Sequence, residues 1–161
     1  MNNKKIAIFA GSFDPFTLGH VEVVSAAREV FDEVLVAVAN DTGKNTKPIE
    51  ARCEMVKLSL QNISGITVKP FSGLLTDFAK KEGISHIIRG LRDANDFANE
   101  QNLAAVYKSQ NPQISLIYFI TSHKTKYISS TIVRELARLN GNLDGYVAQE
   151  ILPIVKKLYG V

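Results

Sequence analysis

One cysteine, Cys53, stands among 161 residues. That excludes an internal disulfide and any cage of several thiolates around a metal. His20, His86 and His123 do not join it at metal-ligand spacing. Long apolar runs are missing too. None is long enough to cross a bilayer, and the N-terminal stretch lacks the apolar core of a secretory signal. The expectation is a cytoplasmic setting with no membrane partner. Neither sign of charge dominates: 19 Lys and Arg against 16 Asp and Glu give +3, with a pI near 9.0. Such an excess admits anionic ligands but does not single out nucleic acid, whose binders gather basic residues on one face, so no nucleic-acid partner is expected. Repeats, low-complexity segments and Pro/Gly/Ser linkers are absent. Residues 1–161 therefore read as one domain, long enough to bury a core without staples.

What is present is an alternation. Apolar runs at Ile6–Ala10, Glu33–Ala39, Ile66–Phe71, Ser85–Arg89 and Ser115–Thr121 read as strands. Between and after them, Gly19–Phe31, Glu50–Asn62, Leu74–Glu82, Ala94–Ser109, Ser129–Leu139 and Tyr146–Leu158 have helical patterns, with Pro153 expected to break or kink the last. Continuous rather than alternating apolar strands suit a parallel sheet covered on both faces. The expected architecture is α/β, a doubly wound, parallel, five-stranded sheet. In such sheets ligands bind beyond the carboxyl ends of the strands.

Four of those ends carry groups suited to phosphate. After the first strand comes GSFDPFTLGH, residues 11–20. Gly11 lets a ligand approach, while Thr17, Gly19 and His20 open a helix whose first amides favour anions. Alone, this is a capped turn with a surface histidine. It has neither the three-glycine dinucleotide fingerprint nor the G-x-S-x-G elbow of a serine hydrolase. The loop after the second strand holds Lys44 and Lys47, with Gly43 before Lys44. Arg89-Gly90-Leu91-Arg92 follows the fourth strand, two planar forks that match phosphate oxygens. Asp93, Asp96 and Glu100 share a helix face just beyond, placed to offset the dipole or to partner Arg89 and Arg92. After the fifth strand, Ser129, Ser130 and Thr131 open another helix, more hydroxyls than a cap requires. His86 begins a strand at the opposite edge and reads as structural.

The T-x-G-H form of the histidine motif (Thr17, Gly19, His20) together with I-S-S-T-x-x-R (Ile128 to Arg134) resembles the nucleotidylyltransferases related to class I aminoacyl-tRNA synthetases. G-S-F-D-P-F-T-L-G-H, the lysine loop, F-S-G-L-L (Phe71 to Leu75), I-I-R-G-L-R (Ile87 to Arg92) and D-F-x-x-E (Asp96 to Glu100) are more narrowly similar to bacterial phosphopantetheine adenylyltransferases, over nearly the whole chain. The resemblance implies a Rossmann-like nucleotidylyltransferase fold. It also implies transfer of AMP from ATP to 4′-phosphopantetheine, giving dephospho-coenzyme A and pyrophosphate, with Mg²⁺ held mainly through the ATP phosphates. It assigns His20, Lys44 and Arg89 to catalysis. It assigns Ser12, Phe13, Thr17, His20, Gly90, Leu91, Arg92, Glu100, Thr125, Lys126, Tyr127, Ile128, Ser129, Ser130 and Thr131 to ATP. Ser12, Lys44, Leu75 and Arg89 fall to phosphopantetheine. Ser12 stands where many members have threonine, and Thr125 where some have tryptophan; Lys44 fits the upstream spacing better than Lys47. A homohexamer and feedback by coenzyme A at the same site are further implications. Phosphate is already an anionic nucleophile, so direct in-line attack without a covalent intermediate is expected. Two other readings remain open at this level: transfer to another small acceptor, such as nicotinate mononucleotide or glycerol phosphate, and a nucleotide-sensing module without catalysis.

Overall fold

The computed structural model describes residues 4–44 and 46–160; Asn45, in the polar lysine loop, lies outside them. Five strands, β1 (Ile6–Gly11), β2 (Glu33–Ala39), β3 (Ile66–Phe71), β4 (His86–Leu91) and β5 (Ser115–Ile120), form one parallel sheet in the order β3-β2-β1-β4-β5. The helices are α1 (Leu18–Arg28), α2 (Ile49–Ser59), α3 (Leu75–Glu82), α4 (Ala94–Gln110), α5 (Ser130–Arg138) and α6 (Leu152–Tyr159), with a 3₁₀ turn at Gln149–Ile151.

Side chains alternate across each strand, and in the inner strands β1 and β2 both sets are apolar and buried, which is why the sheet is covered twice; the edge strand β3 exposes Thr67 and Lys69. Ala7, Phe9, Val34, Val36 and Val38 face α1 and α2, packing with Val24, Ala27 and Val56. Ile8, Ala10, Leu35, Ala37 and Ile87 face the other way, onto Leu75 and Ala79 of α3. A third cluster joins α5 and α6 to Met55 of α2. The doubly wound expectation is met.

Two expectations change. The fourth strand continues through Gly90 and Leu91, because β5 pairs with it as far as Leu91↔Ile120. Residues 146–148 are not helical, and Pro153 sits in the first turn of α6 rather than breaking a helix. Its missing N–H lacks an intrahelical partner there in any case.

Chain order reverses direction across the sheet between β1 and β4, where open α/β sheets place ligands. The register shows how a crevice opens. β1 pairs with β4 only at Ala7, Ile8 and Phe9, while it pairs with β2 through Gly11. Beyond Phe9 and Ile88, the two central strands part.

Candidate active site

Where β1 and β4 part lies a cavity of about 340 Å³, bounded by Gly11, Ser12, His20, Arg92, Thr125 and Ser130 among others. A second, of about 230 Å³, lies toward β2 and β3, with Thr42, Lys44, Phe71, Leu75 and Tyr107 in its wall. Ala10, Gly11, Ser12 and Arg89 line both. Two compartments thus share one boundary, with a hydroxyl on one side and a guanidinium on the other.

The T-x-G-H spacing has a local cause. Thr17 is the N-cap of α1 and His20 its third residue. The Thr17 hydroxyl accepts from the His20 amide at 3.4 Å, and His20 Nδ1 accepts from the Thr17 amide at 2.9 Å. This is a capping box in which imidazole takes the place usual for glutamate. An amide can only donate, so Nδ1 is bare in the neutral ring and Nε2 carries the proton. Phe13 and Phe16 each lie 5.1 Å from the imidazole, centroid to centroid, and Phe9 lies 6.0 Å away. Burial, with a smaller contribution from the Arg92 charge, lowers the His20 pKa from 6.5 to about 4. The ring is a neutral donor at physiological pH.

Gly11 is required for space rather than for unusual backbone angles: a Cβ there would come within 2.9 Å of the Phe13 ring. Gly90 is required similarly, its Cβ falling 2.9 Å from Val23 Cγ2, so α1 can press close to the strand that carries Arg89.

The acidic helix face behaves as expected. Glu100 receives Arg89 through Nη2 at 2.6 Å and Nε at 3.0 Å; Asp96 receives Arg92 at 3.1 Å; and Asp93 caps α4. Burial disfavours the Arg89 charge, but Glu100 outweighs it and raises the pKa.

At the start of α5 only Ser129 caps the helix, so the hydroxyls do exceed what a cap requires, but each already has a structural partner. Ser129 accepts from the Ile132 amide, Ser130 donates to the Pro15 carbonyl, and Thr131 accepts from Arg134. What this turn still presents is the first amides of α5 and the Ser129 proton.

Most residues implied by the resemblance meet at the cavities. Ser12, Phe13, Thr17, His20, Gly90, Arg92, Glu100, Thr125, Ile128, Ser129 and Ser130 line the first; Ser12, Lys44 and Leu75 line the second; Arg89 lines both. Leu91, Lys126, Tyr127 and Thr131 line neither. Tyr127 instead packs edge-on against Tyr146 at 5.9 Å. Lys47 is turned away as well, its ammonium 5.4 Å from the centre of the Tyr159 ring.

Three anchoring groups have no signal in the sequence motifs. Arg52 of α2, 1% exposed, donates to the carbonyls of Lys47, Ser12 and Ala39 at 2.8, 2.6 and 2.8 Å. Tyr159 of α6 donates to the buried Asp14 carboxylate at 2.5 Å, which also accepts from the Lys47 amide at 3.1 Å. Burial and the Asp14 hydrogen bond push the Tyr159 hydroxyl well above its usual range. Glu22 of α1 joins that helix to the segment after β5. Of the cavity lining, Tyr107 was also missed; nothing at its helical position distinguishes it from an ordinary packed aromatic.

A cytidylyltransferase-like family model matches residues 8–136. Over 157 residues the chain is 40% identical to phosphopantetheine adenylyltransferase of Oleidesulfovibrio alaskensis, covering 97% of this chain and 92% of the relative. The chain belongs to the phosphopantetheine adenylyltransferase family. The relative of that name from Moorella thermoacetica is 38% identical, with 97% and 98% covered. A solved structure described as a nicotinate-nucleotide adenylyltransferase of Vibrio parahaemolyticus superposes with a TM-score of 0.72 over 98% of this chain and 99% of that one. At 18% identity it supports the family's fold alone.

Proposed function

We infer that this chain transfers AMP from ATP to 4′-phosphopantetheine, releasing pyrophosphate and forming dephospho-coenzyme A. The observation that carries the reading is the pair of cavities joined at Ser12 and Arg89. ATP takes the larger, against His20, Arg92 and the starts of α1 and α5. Phosphopantetheine takes the smaller, its arm along Phe71, Leu75 and Tyr107 and its phosphate toward Lys44 and Arg89.

The reaction brings two anions together, so positioning and charge compensation carry most of the catalysis. Glu100 grips one edge of the Arg89 guanidinium and leaves Nη1 for the attacking phosphate. The phosphate attacks the α-phosphorus in line, with no covalent enzyme intermediate. His20 Nε2–H donates to the α-phosphoryl oxygen as charge builds there. The first amides of α5 and the Ser129 hydroxyl receive the departing pyrophosphate. Asp96 and Glu100 are both held by arginines. Among the described residues no group of acidic, histidine or cysteine side chains is set to hold a metal, so a Mg²⁺ would be held mainly by the ATP phosphates, whose charge it would offset. Coenzyme A contains the adenylated pantetheine of the product and would fill both cavities, which supports feedback at this site.

The reading is tested by pyrophosphate release. It is expected only when both ATP and phosphopantetheine are present. Release with another acceptor, or tight ATP binding without turnover, would overturn it.

Assembly with copies of itself, as a hexamer by family resemblance, is supported by α4 and the β5 edge. Glu100 is the one buried residue among the 17 of α4, while Phe97, Val106 and Ile120 are 48, 54 and 84% exposed. Ile120→Glu is expected to lower the mass measured by sedimentation; an unchanged mass would remove this edge from the interface. The cytoplasm is the proposed setting, in keeping with the single, buried Cys53 thiol. Among the described residues, no helix is long and apolar enough to cross a membrane.

A further inference from the structure

Two walls of the larger cavity come from distant parts of the chain. One is the start of α1, with Thr17, Gly19 and His20; the other is the segment from Thr121 to Ser130. Their spacing sets the width of the compartment assigned to ATP. They stand close: a Cβ on Gly19 would lie 3.7 Å from the Thr125 carbonyl oxygen and 3.8 Å from that of Ile128.

The segment after β5 is folded on itself. The Thr125 and Lys126 amides donate to the Ser122 carbonyl, and the Ile128 amide donates to that of Thr125. Such a compact turn moves as a unit unless it is tied at both ends. Its far end is tied where Ser130 donates to the Pro15 carbonyl at 2.8 Å. At its near end is Glu22. One carboxylate oxygen accepts from the Ser122 amide at 2.7 Å; the other accepts from the Ser122 hydroxyl at 3.2 Å and from the Thr125 hydroxyl.

We propose that Glu22 is a positioning residue for the nucleotide compartment, holding the 122–128 turn against α1 at the distance ATP requires. This rests on the assignment of the larger cavity to ATP. Glu22 does not line that cavity, so it acts through Ser122 and Thr125 rather than by touching substrate. It forms no ion pair among the described residues, so its charge answers only these three donors. Burial works against that charge, yet the bonds from Thr125 and Ser122 prevail and hold the carboxyl below its usual range. It lies beyond the first turn of α1, where a carboxylate gains little from the helix dipole. Hydrogen bonds to a charged acceptor are stronger than neutral ones, and losing several at once lets the turn drift.

The test compares Glu22→Ala, Glu22→Gln and Ser122→Ala with the unaltered protein. ATP affinity is measured as its magnesium complex by calorimetry, and KM for both substrates by pyrophosphate release. Glu22→Ala is expected to raise the Kd and KM for ATP about tenfold, leaving KM for phosphopantetheine within about twofold. Glu22→Gln, which keeps one accepting oxygen, should fall between. Glu22→Ala combined with Ser122→Ala should be little worse than Glu22→Ala alone, because the two share one contact. Unchanged ATP affinity in folded Glu22→Ala or Glu22→Gln overturns the proposal, as does an equal rise in both KM values, the mark of a general structural role. Normal ATP binding by the unaltered protein without turnover of phosphopantetheine overturns the functional reading alone. The calorimetric comparison then still decides the role of Glu22.

Discussion

Replacing His20 by alanine is expected to lower kcat on the order of 10²- to 10³-fold, with KM for either substrate changed much less. The effect should be this large because the Thr17 amide fixes the imidazole through Nδ1 and three phenylalanine rings surround it. Nε2–H is therefore aimed before substrate arrives and gains most when the α-phosphoryl oxygen becomes more negative. Asparagine could offer a donor, but it cannot accept the cap amide and present the donor at the same distance. An unchanged kcat would remove His20 from the reaction. The pH dependence follows from the same surroundings. The folded ring takes up a proton only near pH 4, whereas an unfolded histidine does so near 6.5. As pH falls from about 6.5 to about 4, the unfolded chain binds the proton that the folded one refuses, and His20 makes the fold progressively less stable. Above about pH 7.5 the ring is neutral in both states, and in the folded protein its imidazole NMR signals should not titrate between about pH 6 and 8.

Arg52→Ala carries the largest expected loss of stability, about 3 kcal/mol or more. The substitution empties a buried volume and leaves the carbonyls of Lys47, Ser12 and Ala39 without their donor. For a chain of this length, the unfolding midpoint should drop by about 6–12 °C, read by calorimetry. Arg52→Lys should recover little, because one ammonium on a flexible stem cannot match a planar fork holding three fixed carbonyls. A shift under about 2 °C for Arg52→Ala would mean that water replaces the guanidinium there. Because the carbonyls belong to the turn after β1 and the loop after β2, KM for phosphopantetheine should rise with the loss of stability.

The alternation of strands and helices was legible because β1 and β2 are apolar on both faces, as a covered parallel sheet demands. The site was legible where chemistry sits next to a strand end: Lys44, Arg89 and His20 are all found at the cavities. Helical spacing put Asp93, Asp96 and Glu100 on one face, able to offset the dipole or to partner Arg89 and Arg92; which carboxylate meets which arginine needed the structure. Arg52, Glu22 and Tyr159 could not. Each acts across a large gap in sequence, 40 positions from Arg52 to Ser12 and 100 from Glu22 to Ser122. Most of their partners are main-chain atoms or common hydroxyls, which leave no compositional mark. Lys126 and Tyr127, which the resemblance assigns to ATP, line neither cavity. They lie inside a motif, yet the turn from Ser122 to Ile128 directs neither to the cavity.

The hydrogen bond from Tyr159 to Asp14 spans 145 positions. During synthesis the ribosome produces the Asp14 turn early and Tyr159 only after all five strands have been made. Until then the Asp14 carboxylate must keep its water, and the turn holding Ser12 cannot settle onto α6. A chain without Tyr159 would leave the buried Asp14 carboxylate without its hydroxyl donor, next to the turn that holds Ser12. The hydrogen bond from Tyr159 therefore fastens the turn that follows β1, beside the boundary of the two cavities, to a helix 145 positions away.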